Sequence, residues 1–382
     1  MSGRTLVLGG GFGGIATAVE LRRLLGDDHE VVLVDSRPDF AMGLRKLWEL
    51  VGHGTVADGS RSRQLLVRHG IEVVSAEIRA IDAAGRRAET SDGWLDGDRM
   101  VIALGAVSRP DLVPGLADHG RDVWSFAGVA GAAEALRRFD GGRIIVLIAG
   151  APYPCPPAPY ECALHLDEHL RGRGLRERTE LAVATLQPLL MPNAGREGSE
   201  WMALQLAERD IAYRVGAKAD RVEPGRVVFG DGEEPFDLLI AVPPHRPPAV
   251  VSDSGLTAPH GWIAVDPGTL ATEHEGVYAV GDVTLIPLAN GLPLPKAGVM
   301  AELQGIRVAR AIAAEVRGEP PVAPFDGSGF CPIEVGTHAA AVVEGNWYAE
   351  PEPVVRIDGP SAAHAADKRA FESEHLDRWF GS

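Results

Sequence analysis

The sequence predicts an α/β fold with two Rossmann-like dinucleotide-binding domains, the first split by the second, and a small C-terminal domain. Three observations predict it. The chain opens on a strand, a glycine turn and a helix; alternating strand and helix patterns fill its middle; a late strand ends in Gly281-Asp282 and leads into another helix. The expected divisions are 1–108 and 246–318 for the first dinucleotide domain, 109–245 for the second and 319–382 for the C-terminal domain.

The opening strand, Thr5 to Leu8, runs into Gly9-Gly-Gly11-Phe12-Gly13-Gly14, then a helix from about Ile15 to Leu25, then the strand Val31 to Val34 ending at Asp35. A bare Gly-x-Gly-x-x-Gly pattern is weak evidence, but here it has its full strand–turn–helix setting and an acidic residue about 20 positions on. Gly9 permits the tight turn, Gly11 lets a pyrophosphate approach the backbone, and Gly14 allows close helix–strand packing. Asp35 is expected on the adenosine ribose hydroxyls. A strand at Met100 to Ala103 follows and ends in Leu104-Gly105-Ala106, with Gly105 a further candidate cofactor contact.

The middle pattern comprises the strand Arg143 to Ala149, a helix from about Pro157 to Arg171, the strand Leu181 to Thr185, the helix Ser199 to Glu208 and the strand Leu238 to Val242. After its first strand, a second nucleotide site would need glycines whose backbone amides cradle a pyrophosphate. The chain instead reads Gly150-Ala-Pro-Tyr-Pro-Cys155-Pro-Pro, where proline rings replace amide donors and a thiol stands where a nicotinamide would approach. This turn indicates a flavoprotein that passes electrons through sulfur rather than through NADH.

Further on, Gly276-Val-Tyr-Ala-Val-Gly281-Asp282 brings backbone close to a cofactor, with Asp282 able to accept a hydrogen bond from a ribityl hydroxyl. Lys296-Ala297 then opens a helix reaching about Val316, whose free amides and positive dipole end suit the flavin edge that gathers negative charge on reduction. The remainder holds Cys331, an apolar strand-like stretch from Ala339 to Val343 and a helix from about Ser361.

Composition narrows the function. A formal net charge of −16 argues against nucleic acid as a partner and against adsorption to anionic lipid by charge alone. The first strand starts too early to leave room for a signal peptide, and no apolar run reaches the roughly 18 residues of a membrane span. A cytoplasmic location is expected, with peripheral contact at the cytoplasmic membrane face left open, as is homo-oligomer formation. Three cysteines are too few for a disulfide framework, and no Cys/His metal spacing occurs, so no metal site is expected.

Cys155 lies just ahead of a helix, where the dipole favours its thiolate. Cys162 falls on the apolar face of that helix beside Ala163, Leu166 and Leu170 and reads as a buried core thiol, although a partnership with Cys155 stays conceivable. The glycine turn with Asp35, the Cys155-Pro-Pro-Ala-Pro-Tyr-Glu161 run, Val280-Gly281-Asp282, Pro295-Lys296-Ala297-Gly298, Cys331 and the segment Lys368 to Phe380 together resemble the sulfide:quinone oxidoreductases and the flavoprotein subunit of flavocytochrome c sulfide dehydrogenases. The resemblance covers nearly the whole chain and is most specific at the Cys-Pro-Pro run. It implies bound FAD, a redox disulfide between Cys155 and Cys331, hydrogen sulfide as the attacking substrate and a quinone as the electron acceptor. Glu161 and His165 are candidate proton handlers, though a Glu at a helix start usually serves the dipole and His165 reads as a helix-surface residue. Leu104 departs from the family pattern, which often has Thr or Ser there. The C-terminal segment is short beside membrane-bound relatives, and Phe371, Leu376, Trp379 and Phe380 at helical spacing are expected to cover a core, with shallow insertion or a quinone pocket as alternatives.

The competing readings are a sulfide dehydrogenase with a soluble acceptor such as a cytochrome, a type II NADH dehydrogenase, reduction of a persulfide or polysulfide with electrons flowing in reverse, and a non-catalytic FAD-binding redox sensor.

Overall fold

A computed structural model describes residues 3–381. The strand Gly3–Leu8 carries Leu6, Val7 and Leu8 with no exposed surface on either face, the signature of a central strand in a parallel sheet. It pairs in parallel with His29–Val34 on one side and Arg99–Ile102 on the other. Glu72–Val74 and Val277–Ala279 close the edges of this five-stranded sheet, so its last strand comes from the far side of the middle domain. The second sheet, also parallel, has the order Arg121–Asp122, Leu238–Val242, Gly142–Ile148, Thr179–Thr185 and Ala212–Arg214. The fold is therefore two Rossmann-like units, the first completed by chain that returns after the second.

The helices Phe12–Leu25 and Gly298–Arg317 lock the first unit together. A Cβ at Gly305 would stand 2.4 Å from the Gly13 carbonyl oxygen, so only glycine allows this approach. Gly14 is tighter still, because a Cβ there would meet the Gly9 carbonyl oxygen at 1.8 Å. Gly14→Ala is accordingly expected to cost about 1–3 kcal/mol, the usual scale of an overpacked contact, and to yield protein with less than one flavin per chain. Calorimetry and the ratio of flavin to protein absorbance check this.

The C-terminal unit is an antiparallel sheet of Ser328–Gly336, Ala339–Asn346 and Val354–Ser361 with the terminal helix Ala362–Phe380 against it. Ser361 caps that helix by accepting a hydrogen bond from the His364 amide, a device worth about 1 kcal/mol. Leu376, Trp379 and Phe380 are buried, the two aromatic rings against Phe12 and Phe40, as their spacing predicts, while Phe371 is half-buried and stacks on Phe12.

The boundaries differ from the sequence reading in three places. The first helix begins at Phe12 rather than Ile15, because Gly13 and Gly14 wind into its first turn. The Gly195–Ala207 helix starts four residues early, following a short turn at Pro192–Ala194. The strand that carries Cys331 was not foreseen, since Gly329 and Pro332 interrupt its pattern; as an edge strand it tolerates the proline. Among the described residues no helix is long and apolar enough to cross a membrane.

Candidate active site

The two Rossmann-like units and the C-terminal sheet enclose a cavity of about 780 Å3. The first unit contributes Gly11, Phe12, Gly13, Gly105, Gly281 and Asp282 to its wall, and the start of the Gly298–Arg317 helix adds Lys296 and Ala297. The second unit contributes Cys155, and the C-terminal sheet contributes Cys331. Ten of the thirteen cysteine and cofactor residues singled out in the sequence thus converge here, joined by Glu161 and Phe371. Gly9, Gly14 and Asp35 stand behind the wall. Asp35 accepts hydrogen bonds from the amides of Gly10 at 2.7 Å and Arg37 at 2.8 Å, so its carboxylate organises the glycine turn from the rear.

The Lys296 ammonium donates to the carbonyls of Asp282 and Thr284 and lies 3.6 Å from the centre of the Trp262 ring, while burial pushes its pKa down to about 8. It fixes the Gly281–Val283 turn from the cavity wall. The Asp282 carboxylate accepts no hydrogen bond within the described residues, and burial raises its pKa against the pull of Lys296 and Lys46.

Cys155 sits in the proline-rich turn with φ 59°, a left-handed conformation that a non-glycine residue adopts only under constraint. Its amide donates to the Lys296 carbonyl at 2.6 Å, which ties the turn to the first unit. The Cys155 and Cys331 thiols lie within hydrogen-bonding reach of each other, both in the free form. That bond from Cys331 holds Cys155 below the usual thiol range; burial and Glu161 oppose it, while Lys368 and the Ala158 amide assist. The same bond, with burial, pushes Cys331 well above the range. Of the two sulfurs, Cys155 is therefore the one whose thiolate the surroundings favour, and Cys331 the one they keep protonated. Cys162 is fully buried, and burial, with the neighbouring Glu161 charge, drives its pKa up, in keeping with a core thiol.

Beneath the pair lies a buried charge cluster. The Lys368 ammonium is bonded to Glu161 and sits 3.2 Å from Glu334. Glu334 in turn accepts from Trp48 Nε1 at 2.9 Å and lies 3.1 Å from His165 Nε2. Burial works to raise the Glu334 pKa, but the Lys368 charge and these bonds outweigh it and hold the carboxyl far below its ordinary value. The two carboxylates keep Lys368 above its own. His165 is 1% exposed, which corrects the surface placement read from the helix: its face packs under the C-terminal sheet, a contact between segments far apart in the chain. Glu161, His165 and Glu334 place ligand-type atoms within 4.8 Å of one another, yet Lys368 already balances both carboxylates in place of a metal ion.

Residues 3–311 match the model of the pyridine nucleotide-disulphide oxidoreductase family. The chain belongs to that family. As a pyridine nucleotide-disulphide oxidoreductase it is similar, at 27% identity over 98% of its length and 91% of the relative's, to the sulfide-quinone reductase of Aquifex aeolicus. A mitochondrial sulfide:quinone oxidoreductase of Mus musculus matches at 23% identity over 91% of this chain and 78% of that protein. Among solved structures, the sulfide:quinone oxidoreductase of Aquifex aeolicus superposes with a TM-score of 0.89 at 24% identity, covering 99% of this chain and 92% of that one. The resemblance read from the motifs stands, and the protein is an FAD-dependent oxidoreductase. The cavity suits that cofactor: a Cβ at Gly11 or Gly105 would meet nothing within 4 Å, the helices at Phe12 and Gly298 begin at the wall with no acidic residue in their first turns, and Asp282 offers a free carboxylate.

Sequence reasoning missed Lys46, Glu334 and Lys368 as site residues. One signal was available: the chain has four lysines against 33 arginines out of a total of 37, and three of the four, Lys46, Lys296 and Lys368, line this cavity.

Proposed function

We propose that the protein oxidises hydrogen sulfide through a Cys155–Cys331 redox disulfide and passes two electrons by way of FAD to a quinone. The observation that carries this reading is the meeting of two cysteines from different domains at the cavity wall, one with its pKa lowered by the other. The names of its relatives agree with it.

In the oxidised form, hydrosulfide attacks the Cys331 sulfur. The S–S bond breaks, Cys331 becomes a persulfide, and Cys155 leaves as the more stable thiolate. When bound, FAD would supply the two-electron chemistry that links the sulfur pair to the acceptor. Glu161, hydrogen-bonded to Lys368 and facing the cavity, is placed to move protons at the pair. The glycine turn from Gly9 to Gly14, with Asp35 behind it, together with Gly105, Gly281, Asp282, Lys296 and Ala297, holds the cofactor. Residues 1–108 and 246–318 form the FAD domain, 109–245 the second Rossmann-like domain and 319–382 the C-terminal domain. The protein works in the cytoplasm, peripherally at the membrane face where its acceptor resides.

Anaerobic stopped-flow absorbance tests the reading. Sulfide without NADH is expected to bleach the flavin within seconds, and decylubiquinone to restore its colour. Bleaching by NADH but not by sulfide would instead establish the NADH dehydrogenase reading, and bleaching by neither the redox sensor. Tryptic peptides of sulfide-treated protein should carry the added sulfur on Cys331.

A further inference from the structure

Lys46 opens the helix Arg45–Val51 and reaches across the cavity to the second unit, where its ammonium donates to the Trp124 carbonyl and stands 5.1 Å from the centre of the Phe126 ring. An ammonium has three donors, and the protein engages one of Lys46's within the described residues. Neither of the other cavity lysines is free in this way. Lys296 is held by two carbonyls, and Lys368 is shared between two carboxylates.

The surroundings of Lys46 are mostly apolar. Burial lowers its pKa to about 8, and the negative groups that act on it are Asp122, Cys155 and Asp282, with Arg37 opposing them. It stays charged at pH 7. His245 nearby adds no charge, because burial pushes it down to about 4. The arrangement is a cation with donors to spare, held at the second unit's side of the cavity and close enough to Cys155 to feel its charge.

We propose that Lys46 is a positioning residue that gathers a small anionic sulfur nucleophile beside the cysteine pair. The inference deepens the reading above, in which that nucleophile is hydrosulfide, and rests on it for the identity of the anion. It gives the low-polarity cavity a reason to retain one of its few lysines: an anion entering such a site loses hydration, and an unshared ammonium replaces it.

The test compares alkylation of Cys155 by iodoacetate, an anion, and by iodoacetamide, its neutral analogue, in the dithiol-reduced FAD-bound protein. Iodoacetamide reports thiolate content and access, so the ratio of the two rates isolates the pull on the reagent's charge. Lys46→Gln is expected to lower that ratio about five- to tenfold, the scale of one unit charge several ångströms away in a partly solvated cleft, and Lys46→Arg to preserve it. Correspondingly, Lys46→Gln should raise the sulfide concentration for half-maximal bleaching about tenfold while the limiting rate changes less than about threefold. An unchanged alkylation ratio in Lys46→Gln, with flavin still bound, overturns the proposal whether or not sulfide is the substrate. Failure of sulfide to bleach the unaltered protein would overturn the sulfide reading, whereas a ratio that still depends on Lys46 would keep the anion site.

Discussion

Cys155→Ser and Cys331→Ser should each slow sulfide-driven flavin bleaching by about 10^3-fold or more, because a serine hydroxyl can neither form the disulfide nor carry the persulfide, and losing a covalent participant removes the step it makes possible. Both variants should retain FAD, since neither cysteine belongs to the glycine turn or to the Asp282 segment that holds it. They should also differ from each other. Cys331→Ser keeps a hydroxyl donor beside Cys155, together with Lys368 and the Ala158 amide, which all favour its thiolate, whereas Cys155→Ser removes the first cause of the raised Cys331 pKa but leaves the burial that still opposes its thiolate. Alkylation at pH 7 should therefore be faster in the first than in the second. Cys162→Ser serves as the control: it buries a hydroxyl in an apolar site at a cost of about 1–3 kcal/mol and should leave bleaching intact. Near-normal turnover by either of the first two variants would remove the disulfide from the mechanism.

Lys368→Met should produce the largest loss of stability of any single change in the cavity wall. It leaves Glu161 and Glu334, which are 2% and 3% exposed, facing each other without their cation, and breaking a buried pair in this way typically costs about 3–5 kcal/mol. The pH dependence gives a sharper readout than the midpoint alone. In the unaltered protein Glu334 is held below its unfolded value of 4.5, so its contribution is complete above that pH and fades as pH falls through the folded pKa. Lys368 is held above its unfolded 10.5, so its contribution is complete below that pH and fades as pH rises further. The cluster thus adds a flat plateau between the two. Without the lysine, burial and mutual repulsion raise the carboxyl pKa values above the unfolded ones, and the sign reverses: Lys368→Met should gain stability as pH falls from 7 toward 5. Urea unfolding followed by circular dichroism at pH 5, 6 and 7 checks it. A variant whose stability does not move over that range would mean that the carboxylates reach solvent. Pairing the change with Glu334→Gln should recover part of the loss at pH 7.

Much of this architecture was legible in the residues because its signals are local. The Gly9–Gly14 turn between an apolar strand and a helix, the Gly281-Asp282 pair and the helix after Lys296 each carry their meaning within about ten positions, and each reaches the cavity wall or the packing directly behind it. The Cys-Pro-Pro run was equally local, since prolines in a phosphate-binding turn contradict phosphate binding on chemical grounds alone. What stayed hidden depends on tertiary packing. Glu334 lies on an interrupted edge strand and Lys368 on a charged-looking stretch of the terminal helix, and nothing near either residue announces that they share a buried site with Glu161. His165 was misread for the same reason, as one helix can be buried on two sides when a distant sheet covers the second. Lysine scarcity was the global clue, easily read as mere composition: a chain that entrusts its surface cations to arginine has few lysines to place, and it places three of its four at the cavity.

That distribution has a practical corollary for wiring the protein to an electrode. Lys218 is exposed, whereas Lys296 and Lys368 are 5% and 6% exposed and Lys46 is half-buried. Amine-directed coupling through side chains should therefore attach the molecule predominantly at one place, giving a single-orientation film without engineered tags.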